Sequence, residues 1–261
     1  MRSGRTVPQL VWLAVLIVAL SGCAGGGWGG DTGFARSWQA WGAAARDAAT
    51  QPAVWMPLGG AIVLGAADLD DNISDWAVRK QPLFGNNASD VSDDLLHVTT
   101  GALVLSAVVA PADKPADRFR GVAAQLASVV VTGAATEGLK ELTSRERPNG
   151  RGNKSLPSGH ASQAAVRTSL ARTNLRHHDL PRGARIVSDV ALHSLGYATA
   201  WARVEANRHY PSDVLAGVAL GNFFAEFLRL ALFEGRPADG SQLTVDVMPG
   251  GAAIQLSMPL P

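Results

Sequence analysis

Apolar stretches of helical length, broken by prolines, fill the chain from residue 36 to residue 233. Segments 36–49, 53–67, 95–109, 122–140, 160–175, 184–204 and 214–233 each read as a helix. Pro111, Pro115, Pro148, Pro157, Pro181, Pro211 and Pro237 mark the boundaries, since proline removes a backbone donor and stops a helix. Within 122–140, the polar residues Gln125, Ser128, Thr132 and Thr136 recur at helical spacing. They draw one polar stripe on an otherwise apolar cylinder, as expected of a helix packed inside a bundle. The period changes in the tail. Leu243, Val245 and Val247 alternate with other residues, Pro249-Gly250-Gly251 forms a turn, and Ile254, Leu256 and Met258 alternate again. This reads as a β-hairpin, too small to stand alone and so expected to pack on the helical body. The pattern predicts an all-α helical bundle with a small C-terminal β-hairpin.

The first residues follow a different logic. Arg2 and Arg5 precede an apolar run ending at Leu20, with small Ser21 and Gly22 before Cys23. A basic start, a short apolar core and small residues describe an export signal rather than part of a fold. Leu20-Ser21-Gly22-Cys23 also resembles the bacterial lipobox, which implies cleavage after residue 22 and lipidation of Cys23, the single cysteine of the chain. The glycine-rich stretch that follows suits a flexible tether. Residues 1–22 are therefore expected as a signal peptide, 23–35 as tether, 36–235 as the helical domain and 236–261 as linker and hairpin. Ala24 after the cysteine implies the periplasmic face of the outer membrane if the cell is Gram-negative.

Composition narrows the picture further. With 23 basic and 22 acidic residues spread along the chain, no basic face is available for nucleic acid. Apolar residues make up 47% of the chain, which makes membrane-spanning helices worth testing. Segment 214–233 is long enough, but Glu226 and Arg229 lie in it, at about 2.5–3.5 kcal/mol each at membrane depth. Segments 53–67 and 95–109 are short for a span. These considerations favour a water-soluble bundle held to the cell envelope by its lipid anchor.

Three motifs carry chemistry. In Lys140-x6-Arg147-Pro148 the two cations lie seven residues apart, about 20° short of two helical turns. They project from one face if the helix continues that far, and two converging cations suit a phosphate dianion. On its own the pattern more often marks a solvated charged face. In Pro157-Ser158-Gly159-His160, Ser158 is placed to N-cap a helix. Gly159 permits close backbone approach, and the helix N-terminus offers free N–H groups to an anion. His160 is positioned there to give a proton to a leaving oxygen. In Arg203-x5-His209-x3-Asp213, a turn at Tyr210-Pro211 aims His209 towards the pocket of Arg203. Asp213 can accept from one ring nitrogen and raise the basicity of the other.

Together and in this order, the three motifs resemble the type 2 phosphatidic acid phosphatase and vanadium haloperoxidase superfamily. The likeness runs from about residue 70 to 233, with Ala202 where the family usually has Ser. It implies a helical bundle of that type and a metal-independent phosphatase acting on phosphate monoesters or lipid (pyro)phosphates. It also implies that His209 forms a phosphohistidine, Asp213 orients it and His160 is the acid and then the base. Lys140, Arg147, Ser158, Gly159 and Arg203 hold the phosphate. No metal or cofactor is expected, and vanadate should inhibit. The implied partners are a phosphorylated lipid or small molecule and the membrane, reached through the anchor. A vanadium-dependent haloperoxidase and a non-catalytic envelope lipoprotein are the alternatives. Elsewhere, His97, His177, His178 and His193 read as ordinary packed or exposed histidines. Asp68, Asp70, Asp71 and Asp75 read as an acidic loop at a helix start, lacking the glycine and terminal glutamate of a calcium loop.

Overall fold

A computed structural model describes residues 38–232 and the backbone of 242–248 and 251–257. The expected signal peptide, Cys23 and the tether lie outside the described residues. Eight α-helices appear among them: α1 (Trp38–Ala49), α2 (Pro52–Ala66), α3 (Leu69–Lys80), α4 (Ala88–Val109), α5 (Pro115–Thr143), α6 (Gly159–Arg176), α7 (Arg182–Glu205) and α8 (Pro211–Leu232). Proline at the first turn starts α2 and α5, where its missing N–H costs nothing. Left-handed residues end α3 at Gln81 and α5 at Ser144.

Two boundaries differ from the pattern-based reading. Helix α4 starts at Ala88, seven residues before 95, because the polar run Ser89–Asp94 hid its first turns from an apolar-period search. The acidic loop expected at a helix start is itself helical, as the first turn of α3. Asp70 and Asp71 lie in its first turn and Arg79 and Lys80 in its last, an arrangement that complements the helix dipole.

Helix α6 is the centre of the bundle, packed against α4, α5, α7 and α8. Its closest neighbour is α8, and glycine makes that approach possible. A Cβ at Gly217 would stand 2.6 Å from the Ser158 carbonyl oxygen, and one at Gly221 would stand 2.2 Å from that of Ser162. Both distances are inside van der Waals contact. The two glycines thus let α8 press on the first turns of α6, where the second motif begins.

Helix α5 is built inside out. Its buried face is Gln125, Ser128, Thr132, Thr136 and Lys140, the polar stripe continued by one more turn. The three hydroxyls bond carbonyls one turn back, and Thr136 Oγ1 also meets Ser162 Oγ at 2.9 Å. Gln125 bonds Asn174 on α6, whose Nδ2 reaches Ser106 Oγ on α4 at 3.0 Å. Its outer face exposes Phe119, Leu126, Val130 and Leu142, while α4 exposes Val104, Leu105 and Val108. Water would favour the reverse arrangement, and a hydrocarbon surround favours this one.

That pattern corrects the expectation of a water-soluble body. Residues 85–109, 115–143 and 211–232 form three helices long and apolar enough to cross a membrane. The α2–α3 pair, bent by 96°, adds a fourth if counted as one broken span. The two charges that spoke against α8 neutralise each other: Arg229 Nε lies 2.9 Å from Glu226 Oε2, both largely buried. The protein is membrane-associated.

The fold is all-α. Strands β1 (Gln242–Met248) and β2 (Gly251–Ser257) run antiparallel, with Val245 opposite Ile254. The expected packing of a hairpin on the body is unsupported.

Candidate active site

The site lies where the N-termini of α6 and α8 meet the ends of α5 and α7. Asn207, in the left-handed conformation, turns the chain after α7, and Arg208 N–H returns to the Arg203 carbonyl at 3.1 Å. That turn buries His209. Its Nδ1 lies 2.7 Å from the Ser155 carbonyl oxygen, which can only accept. The proton therefore sits on Nδ1, and Nε2 carries the free lone pair. Burial, followed by the positive charges of Arg203, Arg147 and Lys140, pushes the His209 pKa down to about 3, although the Ser155 bond works the other way. The ring is neutral at any physiological pH and ready to act as a nucleophile.

The direct His209–Asp213 hydrogen bond expected from the sequence gives way to a longer arrangement. Asp213 Oδ2 is 4.0 Å from Nδ1 and instead accepts from Ser155 Oγ at 2.5 Å and Tyr210 N–H at 2.9 Å. Its carbonyl accepts from Ser158 N–H at 3.0 Å. Asp213 thus holds the segments on both sides of His209, and the Ser155 carbonyl makes the contact to the ring.

The cations converge, although not by the route expected. Helix α5 ends at Thr143, so Lys140 is helical while Arg147 lies on the loop beyond, pinned by backbone bonds to Gly152 and Gly150. The shared helical face is therefore replaced by a loop that turns back. Lys140 Nζ bonds Glu137 at 2.6 Å and lies 3.1 Å from where a Cβ on Gly159 would stand, so glycine is what lets the ammonium approach. Arg203 is buried, which lowers its pKa to about 10, and its NH1 bonds Ser92 Oγ at 2.8 Å. Ser158 occupies the N-cap position of α6, yet its hydroxyl makes no cap bond. Ser158 Oγ, Arg147 Nε and Arg203 Nε are all buried donors without a partner among the described residues. A buried donor left unpaired costs about 1–3 kcal/mol, so such a group is expected to have a ligand to serve. Phosphate oxygens, acceptors on every side, fit all three.

His160, in the first turn of α6, is less deeply buried. Its Nε2 lies 2.6 Å from Asp93 Oδ1 on α4. Burial and the charges of Arg203 and Lys140 lower its pKa, while Asp93 opposes them.

Three participants lie outside the motif positions. Arg145, inside the variable stretch of the first motif, donates to Asp213 Oδ1 at 2.7 Å and to Asp70 Oδ2 at 2.8 Å. It also lies over the Tyr210 ring, 4.3 Å from the centroid. Asp70, on α3, accepts from Ser212 N–H at 2.8 Å and from the Ser212 hydroxyl. Asp93 is the third. Nothing in residue spacing marks them, since each acts across a tertiary contact. The remaining histidines stand apart: His177 and His178 follow α6 at its far end, roughly 25 Å along the helix axis from His160.

This constellation defines a class: a helical bundle with a buried neutral histidine, a cluster of cations and unpaired donors at a helix N-terminus. Residues 121–236, which take in all three motifs, match the model of the PAP2 superfamily. The chain is a phosphoric ester hydrolase, a phosphatase of the PAP2 type. Its fold is similar to the crystal structure of the first transmembrane PAP2 type phosphatidylglycerolphosphate phosphatase from Bacillus subtilis, with a TM-score of 0.51 and 19% identity. The similarity covers 67% of this chain and 90% of that one. No curated protein matches the chain.

Proposed function

We propose that the protein is a lipid phosphate phosphatase acting through a phosphohistidine on His209. The observation that carries this reading is the trio of buried, unpartnered donors, Arg147 Nε, Ser158 Oγ and Arg203 Nε, gathered with Lys140 around a histidine whose Nε2 lone pair is free. In the first step Nε2 bonds to phosphorus as the bond to the leaving oxygen breaks, and His160 gives that oxygen its proton. In the second step His160 takes a proton from water, whose oxygen bonds to phosphorus as the N–P bond breaks. Lys140, Arg147, Arg203, Ser158 and the Gly159 amide stabilise the charge on the non-bridging oxygens throughout. Asp213 is a positioning residue, acting through Ser155 and Tyr210.

A lipid substrate is favoured by the surroundings of the site. An apolar groove of about 360 Å³ runs between α2, α5 and α8, and its lining includes Leu156 and Pro157, directly before Ser158. An acyl chain lying there would have its phosphate at the N-terminus of α6. The proposal also includes a signal peptide over 1–22, lipidation at Cys23, a tether over 23–35, and a linker and hairpin tail over 236–261.

The test is phosphate release by purified protein in detergent micelles from phosphatidic acid, phosphatidylglycerolphosphate, undecaprenyl pyrophosphate and a soluble monoester, beside His209→Ala. Lipid turnover that vanishes in the variant and is blocked by vanadate supports the reading. Turnover of the soluble ester alone would remove the lipid part, and no release by the folded protein would overturn the whole.

A further inference from the structure

Helix α4 contributes a wall to the site that none of the three motifs contains, and it precedes residue 121, where the family match begins. Its second turn presents two adjacent side chains to the pocket. Ser92 Oγ accepts from Arg203 NH1, and Asp93 Oδ1 lies 2.6 Å from His160 Nε2 and 3.9 Å from Arg203 NH1. Asp93 is half-exposed and His160 is partly buried. The charged groups facing His160 are Asp93 from α4, Arg203 from α7 and Lys140 from α5. Two are cations that oppose a protonated imidazole, leaving Asp93 as the one anion among them.

Given the phosphohistidine reading, on which this inference rests, we propose that Asp93 is the positioning residue of the general acid. Its carboxylate accepts from Nε2–H of His160, which leaves Nδ1–H as the donor to the departing oxygen. Nδ1 has no hydrogen-bond partner among the described residues. In the second half-reaction the same bond holds the ring while Nδ1 takes up the proton of the attacking water. Asp93 touches neither phosphorus nor its oxygens in this scheme. Its effect reaches the reaction only through His160.

The consequence is a dependence on the leaving group. An alkoxide must be protonated as it departs, whereas p-nitrophenolate leaves without help. Asp93→Asn keeps the shape and removes the charge. In the intact protein it should lower kcat on octyl phosphate about tenfold or more, within the roughly 10²–10⁴-fold that a general acid supplies. On p-nitrophenyl phosphate kcat/KM, which reports the first step alone, should fall by less than about twofold. The alkaline limb of kcat on octyl phosphate should move to lower pH, because the group that keeps His160 protonated has gone, and Asp93→Glu should recover part of the rate. Equal losses of kcat/KM on the two substrates, or an unchanged alkaline limb, would overturn the proposal. So would a faster Asp93→Asn enzyme on octyl phosphate, since that would mean the carboxylate merely competes with the leaving oxygen. A readout without turnover separates this from failure of the phosphatase reading itself. The His160 imidazole pKa, followed by NMR in micelles, should fall in Asp93→Asn if the contact exists in solution, and an unchanged value would sink the proposal even if no substrate were found.

Discussion

The two halves of the site are built differently. The half formed by α5 to α8 carries its chemistry at motif positions, with Lys140, Arg147, Ser158, His160, Arg203 and His209 all within one continuous stretch of chain. The half formed by α3 and α4 carries none of the recognised motif. Yet Asp70 fixes the start of α8 through Ser212 and Arg145, while Asp93 and Ser92 meet His160 and Arg203. Groups that touch the phosphoryl oxygens must have one identity and one spacing. Groups that orient them need only reach the right atom, from whichever element passes by. The first kind writes a pattern in the sequence and the second does not.

The predictions press on this division, beginning with the motif half. His209→Ala removes the proposed nucleophile and should cut phosphate release at least ~10⁴-fold on every substrate, leaving group notwithstanding. A loss below about 100-fold would mean that another group attacks phosphorus. Arg203→Lys keeps one charge but loses the planar fork between Ser92 and the unpaired Nε. It should cost about 10²–10³-fold in kcat, the worth of one oxyanion donor, measured beside the wild type at saturating substrate. On the motif-free side, Asp70→Asn leaves Arg145 with Asp213 alone and weakens the clamp on Ser212. Breaking such a buried pair costs about 3 kcal/mol, read as a lowered Tm in detergent, with a smaller loss of kcat than either motif variant. An Asp70→Asn enzyme as inactive as His209→Ala would erase the distinction between the two halves.

The pH profile gives the smallest and most diagnostic effect. With its folded pKa near 3, His209 stays neutral through the working range, so its own titration should cause no loss of rate above about pH 4. The proposed acid His160 must start protonated and burial lowers its pKa, so kcat on an alkyl phosphate should fall as pH rises through that pKa. A rate that climbs steadily to pH 9 would exclude His160 as the acid.

Much of this was legible in the chain, for particular reasons. The polar stripe from Gln125 to Thr136 marked α5 as an interior helix, because hydroxyls and amides can be buried only on one side. It also points along the helix to Lys140. The same stripe held a second message that the pattern alone did not release: with the polar face inside, the apolar face must be outside. Helix α3 escaped because five of its twelve residues are charged and its apolar period is weak. The early start of α4 escaped for the same reason.

The chain alone fixed an all-helical body and the three motifs that match the PAP2 model, since these depend on local period, proline punctuation and fixed spacing along one stretch of chain. Tertiary structure alone decided how those residues are held. The Ser155 carbonyl, rather than Asp213, meets His209, because the loop before α6 passes closer to the ring than the first turn of α8 does. Arg147 joins Lys140 by a loop that turns back rather than along one helical face. Arg145, Asp70 and Asp93 enter from distant parts of the chain. Such contacts are set by packing, above all by the approach of α8 to α6 that Gly217 and Gly221 allow, and packing leaves no periodic trace in a single sequence.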